Sequence, residues 1–411
     1  MRSVEEQQAI VLAAVRALPS ERVALADALG RTLAAPMLAA VPIPVFTNSA
    51  MDGFAVRAQD VLSATAASPI VLAVVGEVPA GSPEDPPLAA GQAVRIMTGA
   101  PLPSDADTVV PVEDTVEGFA AEVGGTVTVV VAPRPGGDVR LAGADAGIGD
   151  MVLPGGVAVG ALRLSAIAAA GAGTLPVAVR PRVAVISTGS ELVPPGAALE
   201  RGQIPESNSF VLAARIAEAG GSVVLRTSVG DDPAELAAEL RRAFDLGVHA
   251  VIMSGGVSAG AYEPVKQALG PSGAMAFEKV AMQPGKPQGF GVTSEGVLLF
   301  GLPGNPVSVA VSFEVFVRPA LLAMQGRGTL ERDRILLPAG VPWTPPRGRR
   351  QYLPARIDRS DPARWVVAPA HPGGSISNRA GGLALAEAFA IVPAEIEQVD
   401  AGDRVEVMLL G

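Results

Sequence analysis

Lysine is much rarer than arginine in this sequence, and its few copies lie close together. All three lysines, Lys266, Lys279 and Lys286, fall within one short stretch, although 28 arginines are distributed along the 411 residues. An ammonium group is a compact charge with rotatable donors, whereas a guanidinium is a rigid planar fork. The clustering therefore predicts a small-anion site that the fork does not fit. The alternative is that Lys266 only solvates a helix face.

Glycine-rich segments surround these lysines. SGGVS at 254–258 precedes them, PGKP at 284–287 contains one of them, and GLPGNP at 301–306 follows. Backbone N–H groups in such loops can bind an anion together with ammonium groups. Paired glycines also make ordinary tight turns, so each loop taken alone leaves both interpretations open.

Acidic residues beside glycine turns could hold a cation or activate water. Glu191 lies two residues after the glycine of STGSEL, and Asp231 precedes a predicted helix start. Glu191 could equally be a first-turn charge that favours the helix dipole, and Asp232 is better explained as an N-cap. Asp52 and Thr98 each lie next to a glycine in predicted loops of a different domain.

The composition excludes several classes of site. There is no cysteine, and the only histidines are His249 and His371, which excludes disulfides, thiolate ligands and the usual zinc sites. A bound metal would be a hard cation such as Mg²⁺. The net charge of −10 argues against a nucleic-acid partner.

No membrane segment and no export signal are expected. Two uncharged stretches, Thr32 to Met51 and Gly296 to Phe313, have the length of a span, but prolines interrupt both. The N-terminus MRSVEEQQ lacks a cationic start followed by an apolar run, so we expect a cytoplasmic protein.

The elements that must position these residues are strands and helices in alternation after residue 181. RVAVIST, SVVLRTSV, HAVIMS and VLLF read as strands, with helical segments between them. This order predicts an open parallel sheet with helices on both faces. STGSEL, SGGVS and GLPGNP all end strands, so they should meet at the carboxyl edge, where such sheets bind ligands.

Changes of pattern divide the remaining chain. We expect a multidomain α/β protein with four domains: 1–45 plus 134–180, a helical connecting domain; 46–133, a β-rich domain; 181–326, the sheet domain; and 327–411, a C-terminal β-barrel-like domain. The first helix could pack on the sheet domain instead, and a second helix is expected from near Ser20.

Taken together, several long strings resemble the MoeA family of molybdopterin molybdotransferases, which is related to the gephyrin E domain. The resemblance runs through TNSAMDGFAV, RIMTGAPLPSDADTVVPVEDT, VAVISTGSELV, IPESNSF, GDDP, SGGVSAGAYEPVK, PGKPQGFG and LPGNPVSVAVSF. It implies molybdenum cofactor biosynthesis: molybdate enters adenylylated molybdopterin and AMP is released, with help from Mg²⁺. It also implies a homodimer whose active site is shared between subunits, and a molybdopterin adenylyltransferase is a candidate partner.

Family motifs also suggest roles for individual residues. The candidates for catalysis are Asp52, Thr98, Glu191, Asp231, Glu263 and Lys279, of which Glu191 and Asp231 are assigned to the metal or to water. The candidates for substrate binding are Ser254, Gly255, Gly256, Ser258, Lys286, Pro303, Gly304, Asn305, Arg349, Arg350 and Ser375.

Three positions depart from the family pattern. Thr47 replaces an aspartate before NSAMDG, Glu263 replaces an aspartate after SGGVS, and Gln283 replaces a lysine before PGKP. The departures support one alternative, a non-catalytic cofactor-binding or scaffold paralogue. They are also compatible with ordinary variation in an active enzyme. A second alternative is a nucleotide hydrolase like the CinA group, which shares the alternating pattern of the sheet domain, but the long matches outside residues 181–324 argue against it.

Overall fold

The structure is a computed structural model. It describes residues 1–257, 264–270, 273–371 and 380–411. Three candidate site residues, Ser258, Glu263 and Ser375, lie outside the described residues. The first 180 residues contain the helices α1 (Val4–Ala13) and α2 (Ala161–Ala169) and the strands β1 (Ser20–Ala24), β2 (Met37–Leu38), β3 (Asn48–Ser49), β4 (Gly53–Val56), β5 (Ile70–Val78), β6 (Gln92–Ile96), β7 (Thr108–Pro111), β8 (Thr126–Val129), β9 (Val139–Arg140), β10 (Met151–Leu153) and β11 (Thr174–Ala178).

The connecting domain, residues 1–45 plus 134–180, is built from two antiparallel strand pairs and α2. β1 pairs with β11 and β2 pairs with β10, around a small core that includes Leu33 and Ile167. The prediction of a second helix from near Ser20 is wrong. Because this segment pairs along its length with β11, it forms a strand followed by a 3₁₀ turn at Leu25–Asp27. Tertiary pairing overrides the helix propensity of its alanine and leucine residues.

Helix α1 belongs structurally to the sheet domain. Ser3 and Glu6 form a capping box at its start, since each side chain accepts a hydrogen bond from the other's backbone N–H. Val11 enters the main core of the sheet domain, and Ala14, Val15 and Leu18 pack against that core. The helix therefore ties the N-terminus to a domain that begins some 180 residues later in the sequence.

The β-rich domain is a five-stranded sheet in the order β7-β4-β6-β5-β8. Its two faces cover separate cores, with Phe54 and Val110 in one and Ala55 and Val109 in the other, as expected for alternating side chains. Strand β4 is buried throughout, so the residues before it are held at a defined edge. Asp52 lies immediately before β4.

The sheet domain supplies the strands whose ends form the candidate site. Its helices are α3 (Asn208–Glu218), α4 (Pro233–Asp245), α5 (Pro264–Leu269), α6 (Pro306–Ser312) and α7 (Arg318–Met324), and its strands are β12 (Arg182–Thr188), β13 (Leu192–Val193), β14 (Ile204–Pro205), β15 (Ser222–Val229), β16 (Ala250–Ser254), β17 (Met275–Lys279), β18 (Met282–Gln283), β19 (Pro287–Val292) and β20 (Leu298–Leu302). The main sheet has the order β15-β12-β16-β20-β19-β17. The first four strands are parallel, as predicted, and β19 is antiparallel to both of its neighbours.

Both faces of this sheet are covered by helices. Val185 and Ile252 point into one core with residues of α3 and α7, whereas Ile186 and Val251 point into the other with residues of α4. Near-continuous apolar strands are typical of a parallel sheet that is buried on both faces. The helices anchor the strands so that their carboxyl ends, and the loops that follow, are fixed.

A continuous helix runs from Pro306 to Met324, with a π-helical turn at Phe313–Val317 between α6 and α7. Among the described residues it is the one helix long and apolar enough to cross a membrane. Most of it, 89% of the apolar window, is buried inside the fold, and its residues contribute to two hydrophobic cores. These features are typical of a core helix.

The C-terminal domain contains α8 (Ala380–Leu383) and the strands β21 (Arg334–Pro338), β22 (Arg350–Asp358), β23 (Val366–Pro369), β24 (Ala388–Val392) and β25 (Arg404–Leu409). Antiparallel pairing links β23-β22-β24-β25-β21, and a bridge between Ala339 and Val367 brings β21 back towards β23. This curled arrangement is the predicted barrel-like domain. Strand β18 adds to β22, so the segment before PGKP is held by the C-terminal domain.

Candidate active site at the carboxyl edge of the sheet

A cavity of about 1050 Å³ opens at the carboxyl edge of the sheet. The turns after β12, β16 and β20 border it, together with the segments 204–208 and 282–287. This cavity is named the main cavity. It contains ten of the candidate residues: Glu191, Asp231, Ser254, Gly255, Gly256, Lys286, Pro303, Gly304, Asn305 and Arg349. The predicted convergence of the three glycine-rich turns is present, because parallel strands end at the same edge.

The glycine pair after β16 allows the loops to approach closely. Gly255 and Gly256 have φ angles of +93° and +66°, which side chains disfavour. A Cβ on Gly255 would lie 2.6 Å from the carbonyl oxygen of Thr188. The Gly255 N–H donates to the carbonyl of Leu302 at 2.9 Å. These glycines therefore pack the strand ends together, and the Gly255 amide is already used within the protein.

The two candidate metal ligands lie on loops that are tied together. The Asp231 N–H donates to the hydroxyl of Ser190 at 3.1 Å, and the Ser190 N–H donates to the Asp231 carboxylate at 3.4 Å. Glu191 is exposed, and its carboxylate folds back over Gly189. The described part of the chain has no group of three or more acidic or histidine side chains that could hold a metal. Two carboxylates are sufficient for Mg²⁺ when substrate phosphates and water complete the shell.

A smaller cavity of about 290 Å³ adjoins the main cavity and is bordered by Lys266, Lys279 and Lys286. It is named the lysine pocket. Its one carboxylate among the described residues, Glu278, forms an ion pair with Arg2 at 3.1 Å. Lys286 borders both cavities. The three lysines of the chain therefore meet in one place, and Lys266 borders the pocket as well as belonging to a helix.

One polar residue of IPESNSF, Asn208, borders the main cavity although it was absent from the predicted set, and the buried Glu206 lies two residues before it without bordering the cavity. Glu206 is buried, and its carboxylate accepts hydrogen bonds from the Ser187 hydroxyl at 2.8 Å and from the Ser209 N–H at 2.8 Å. Asn208 borders the main cavity and donates from its side chain to the carbonyl of Gly304 at 2.7 Å. The sequence signal that could have identified this segment is the run of polar residues in IPESNSF, which lies between a short apolar segment and a helix.

Asp52 and Thr98 contact each other but not the main cavity of their own chain. The Asp52 carboxylate accepts from the Thr98 N–H at 2.6 Å and from the Thr98 hydroxyl at 2.8 Å. These hydrogen bonds lower the pKa of Asp52 below its usual value. Neither residue borders either cavity.

The two adjacent arginines have different surroundings. Arg349 borders the main cavity. Arg350 forms an ion pair with Glu5 of α1. Burial lowers the Arg350 pKa, but the neighbouring Glu5 and Tyr352 side chains outweigh burial, so the pKa is raised above its usual value. The structure therefore favours Arg349 of the two, since the Arg350 guanidinium is engaged between α1 and β22.

Three family models match consecutive parts of the chain. They are "MoeA N-terminal region (domain I and II)" over residues 2–171, "Probable molybdopterin binding domain" over residues 184–323, and "MoeA C-terminal region (domain IV)" over residues 337–410. The chain is 42% identical over 413 residues to molybdopterin molybdenumtransferase 2 of Mycobacterium tuberculosis, covering 99% of each protein. The chain belongs to the MoeA family. This confirms the family predicted from the sequence.

Other members of the MoeA family match over their full length. The chain is 35% identical to molybdopterin molybdenumtransferase 1 of M. tuberculosis, covering 100% of this chain and 99% of the relative. The crystal structure of a molybdopterin biosynthesis MoeA protein from Pyrococcus horikoshii superimposes with a TM-score of 0.81 at 31% identity, covering 100% and 99% of the two chains. A CinA-like hydrolase is not favoured, because the matches extend through all domains and not only through the sheet domain.

Two of the departures from the MoeA pattern can be located. The Thr47 hydroxyl accepts a hydrogen bond from the Ala142 N–H at 3.2 Å, in the part of the chain that contains Asp52. Gln283 borders the main cavity, and its buried side-chain oxygen has no hydrogen-bond partner among the described residues. The amide therefore replaces a positive charge in the wall of the cavity itself.

Proposed function

We propose that this protein is a molybdopterin molybdenumtransferase that inserts molybdate into adenylylated molybdopterin and releases AMP. The observation that carries the proposal is the pair of adjoining cavities, one large and polar and the other bordered by three lysines. A volume of about 1050 Å³ suits a nucleotide joined to a second ring system, and it lies where open α/β sheets bind nucleotides. The whole-chain relatives named molybdopterin molybdenumtransferase support the same reaction.

We assign molybdate to the lysine pocket. Molybdate is a compact dianion, and three ammonium groups against one already paired carboxylate leave this pocket with positive charge. Ammonium groups rotate to suit a tetrahedral oxyanion, whereas a planar guanidinium prefers two-pronged contacts. Lys279 remains the primary candidate for holding the anion, and Lys286 is the candidate for bringing the anion and the phosphates together.

We assign a divalent cation, Mg²⁺, to Glu191 and Asp231. Their carboxylates border the main cavity on loops joined through Ser190, so their separation is restrained. A bound cation would screen the phosphate charge and stabilise AMP as it leaves. Without it, these carboxylates would repel the phosphates, so the donor set fits a cation better than an anion.

We infer that a second subunit completes the site with Asp52 and Thr98. The two hydrogen bonds that Thr98 donates to the Asp52 carboxylate lower its pKa and so favour the ionised form at this edge of the β-rich domain. The neighbouring apolar side chains Val45, Phe46 and Met51 are also exposed, by 57%, 45% and 38%, as is typical of a surface that another molecule covers. A homodimer with a shared cleft accounts for both observations. A cytoplasmic location and an adenylyltransferase partner are parts of the same proposal.

Reconstitution tests the proposal. Purified protein is incubated with adenylylated molybdopterin, molybdate and Mg²⁺, and AMP and molybdenum cofactor are quantified. We expect AMP release that requires both molybdate and Mg²⁺. Tight binding of adenylylated molybdopterin without turnover would instead support a storage or scaffold protein, and hydrolysis that is independent of molybdate would support a nucleotide hydrolase.

A further inference from the structure

A residue before helix α1 is paired with the turn that follows β17. The Arg2 N–H donates to the carbonyl oxygen of Lys279 at 2.9 Å, and the Ala281 N–H donates to the carbonyl oxygen of Arg2 at 2.8 Å. These two hydrogen bonds make an isolated parallel bridge between Arg2 and Val280. The backbone at Lys279 is therefore held on one side by residue 2, as by a strand one residue long.

The same turn joins two lysines of the lysine pocket. The Val280 N–H donates to the carbonyl oxygen of Lys286 at 2.8 Å. The Val280 side chain is fully buried, in a core that also contains Val4 of α1. Because close packing and backbone hydrogen bonds fix this turn, the segment before α1 helps to position both Lys279 and Lys286.

The guanidinium group of Arg2 is held from two sides. One nitrogen, Nη2, forms an ion pair with Oε1 of Glu278 at 3.1 Å. The other, Nη1, donates to Oε1 of Gln7 at 2.6 Å, and Gln7 is buried on α1. Because the guanidinium is a planar, rigid fork, a partner on each nitrogen orients the whole group towards Glu278.

Glu278 is the acidic residue of the lysine pocket. Among the described residues it is the only one with a carboxylate that borders this pocket, and it directly precedes Lys279 in the sequence. An unpaired carboxylate at this position would repel an incoming dianion and attract the ammonium groups. Arg2 supplies the compensating charge from outside the pocket, since it pairs with Glu278 but does not border the pocket itself.

We propose that Arg2 is a positioning residue of the lysine pocket and keeps this pocket suited to an anion in two ways. Its backbone fixes the turn after Lys279, and its guanidinium group neutralises Glu278. This inference rests on the proposed function, in which the anion is molybdate. Arg2 acts through Glu278 and the Lys279 turn, and not by contact with the reacting atoms.

Variants that remove one or both charges of the ion pair test this role. AMP release is titrated with molybdate for the wild type, Arg2→Gln, Glu278→Gln and the double variant. Arg2→Gln should raise the molybdate concentration for half-maximal release roughly threefold, and Glu278→Gln should lower it roughly threefold, because partly exposed charges act weakly through water. The double variant should return close to the wild-type value, because both charges are then absent. The maximal rate and the affinity for AMP should be the same in all four proteins.

Two further variants separate the charge of Arg2 from a general structural effect. Arg2→Lys keeps the charge and should keep the wild-type molybdate requirement. Arg334→Gln removes a positive charge from an ion pair of similar length and exposure, with Glu406 at 3.3 Å, and neither residue borders either cavity. It should leave the molybdate requirement unchanged. The effect of Arg2→Gln should also shrink at higher ionic strength, because partly exposed charges are screened.

The outcomes decide between charge, structure and no role. An unchanged molybdate requirement in folded Arg2→Gln would overturn the inference, and so would a rise that Glu278→Gln does not reverse. If Arg2→Gln does not fold, Glu278→Gln alone decides, because an unchanged requirement there would show that the carboxylate does not act on the pocket.

Calorimetry with molybdate alone, in the same variants, separates this inference from the proposed function. Affinities in the expected order without any molybdate-dependent AMP release would refute the proposed function and keep the role of Arg2. Molybdate-dependent AMP release that does not respond to Arg2 or Glu278 would do the reverse. No binding of molybdate to the wild type and no release of AMP would overturn both.

Discussion

The lysine pocket and the main cavity share one lysine, which allows their ligands to be distinguished by mutation. Lys279 borders only the lysine pocket, whereas Lys286 borders both cavities. We predict that Lys279→Gln raises the molybdate concentration needed for half-maximal AMP release and leaves AMP affinity unchanged. Lys286→Gln should raise the molybdate requirement and also weaken AMP binding. Glutamine removes the charge and keeps most of the side-chain length.

The expected magnitude follows from exposure. A dianion about 4 Å from an ammonium group is attracted by about 2 kcal/mol in a water-like dielectric and by about 8 kcal/mol at an effective dielectric of about 20. Lys279 is exposed, so the lower figure applies, which corresponds to a rise of roughly 30-fold in the molybdate requirement. Lys286 is partly buried, so its substitution should cost more, on the order of 100-fold.

The first measurement is a molybdate titration of AMP release, made at two salt concentrations. The second is the affinity for AMP, measured by calorimetry. The effect of Lys279→Gln should shrink as ionic strength rises, because exposed charges are screened. Lys279→Arg is the matched control, since it keeps the charge and changes its shape. An unchanged molybdate requirement in folded Lys279→Gln would refute the assignment of molybdate to this pocket. Equal loss of AMP affinity in both glutamine variants would refute the separation of the two cavities.

Three further outcomes are expected. Asp52→Ala and Lys279→Ala subunits, each impaired alone at limiting molybdate, should partly restore AMP release when mixed, and no restoration in proven heterodimers would argue against a shared cleft. Gln283→Lys should lower the molybdate requirement roughly fivefold, because Gln283 borders only the adjoining main cavity and one added charge about 8 Å from a dianion is worth about 1 kcal/mol in a water-like dielectric. A higher molybdate requirement in this variant would show instead that the amide itself binds the anion. Gly255→Ala should destabilise the protein by about 1–3 kcal/mol, because its φ is +93° and a Cβ would meet the Thr188 carbonyl; denaturant unfolding that matches the wild type would contradict the strain argument.

The fold of the sheet domain could be predicted from the sequence because its local sequence patterns agree with its tertiary structure. Apolar strands and amphipathic helices alternate, and Asp232 caps α4 as predicted, since it accepts from the Ala234 N–H at 2.8 Å. The segment from Ser20 was not accessible. Its partner strand lies more than 150 residues away, at Thr174–Ala178, and no local pattern records that pairing.

The candidate site also has a part that the sequence predicted and a part that it did not. The glycine-rich turns could be assigned to one edge because the ends of parallel strands meet there. Asn208 could not be assigned, because its place in the wall of the main cavity depends on how the segment around the buried Glu206 folds against the strand end at Ser187. Asp52 and Thr98 came only from the family resemblance, and a single chain brings them to each other but not to the main cavity.

The distribution of charge explains how one cleft could handle two kinds of anion. Among the described residues, the main cavity has Lys286 and Arg349 against Glu191 and Asp231, so its formal charges cancel. The lysine pocket has three lysines against Glu278, a balance of +2 before the ion pair with Arg2 is counted. A free dianion is therefore favoured in the lysine pocket, whereas phosphates in the main cavity need a cation between them and the two carboxylates. Gln283 sharpens this difference, because a lysine at that position would have made the main cavity positive as well. The absence of that charge makes the main cavity more dependent on a bound cation, and the lysine pocket becomes the part of the cleft best suited to molybdate.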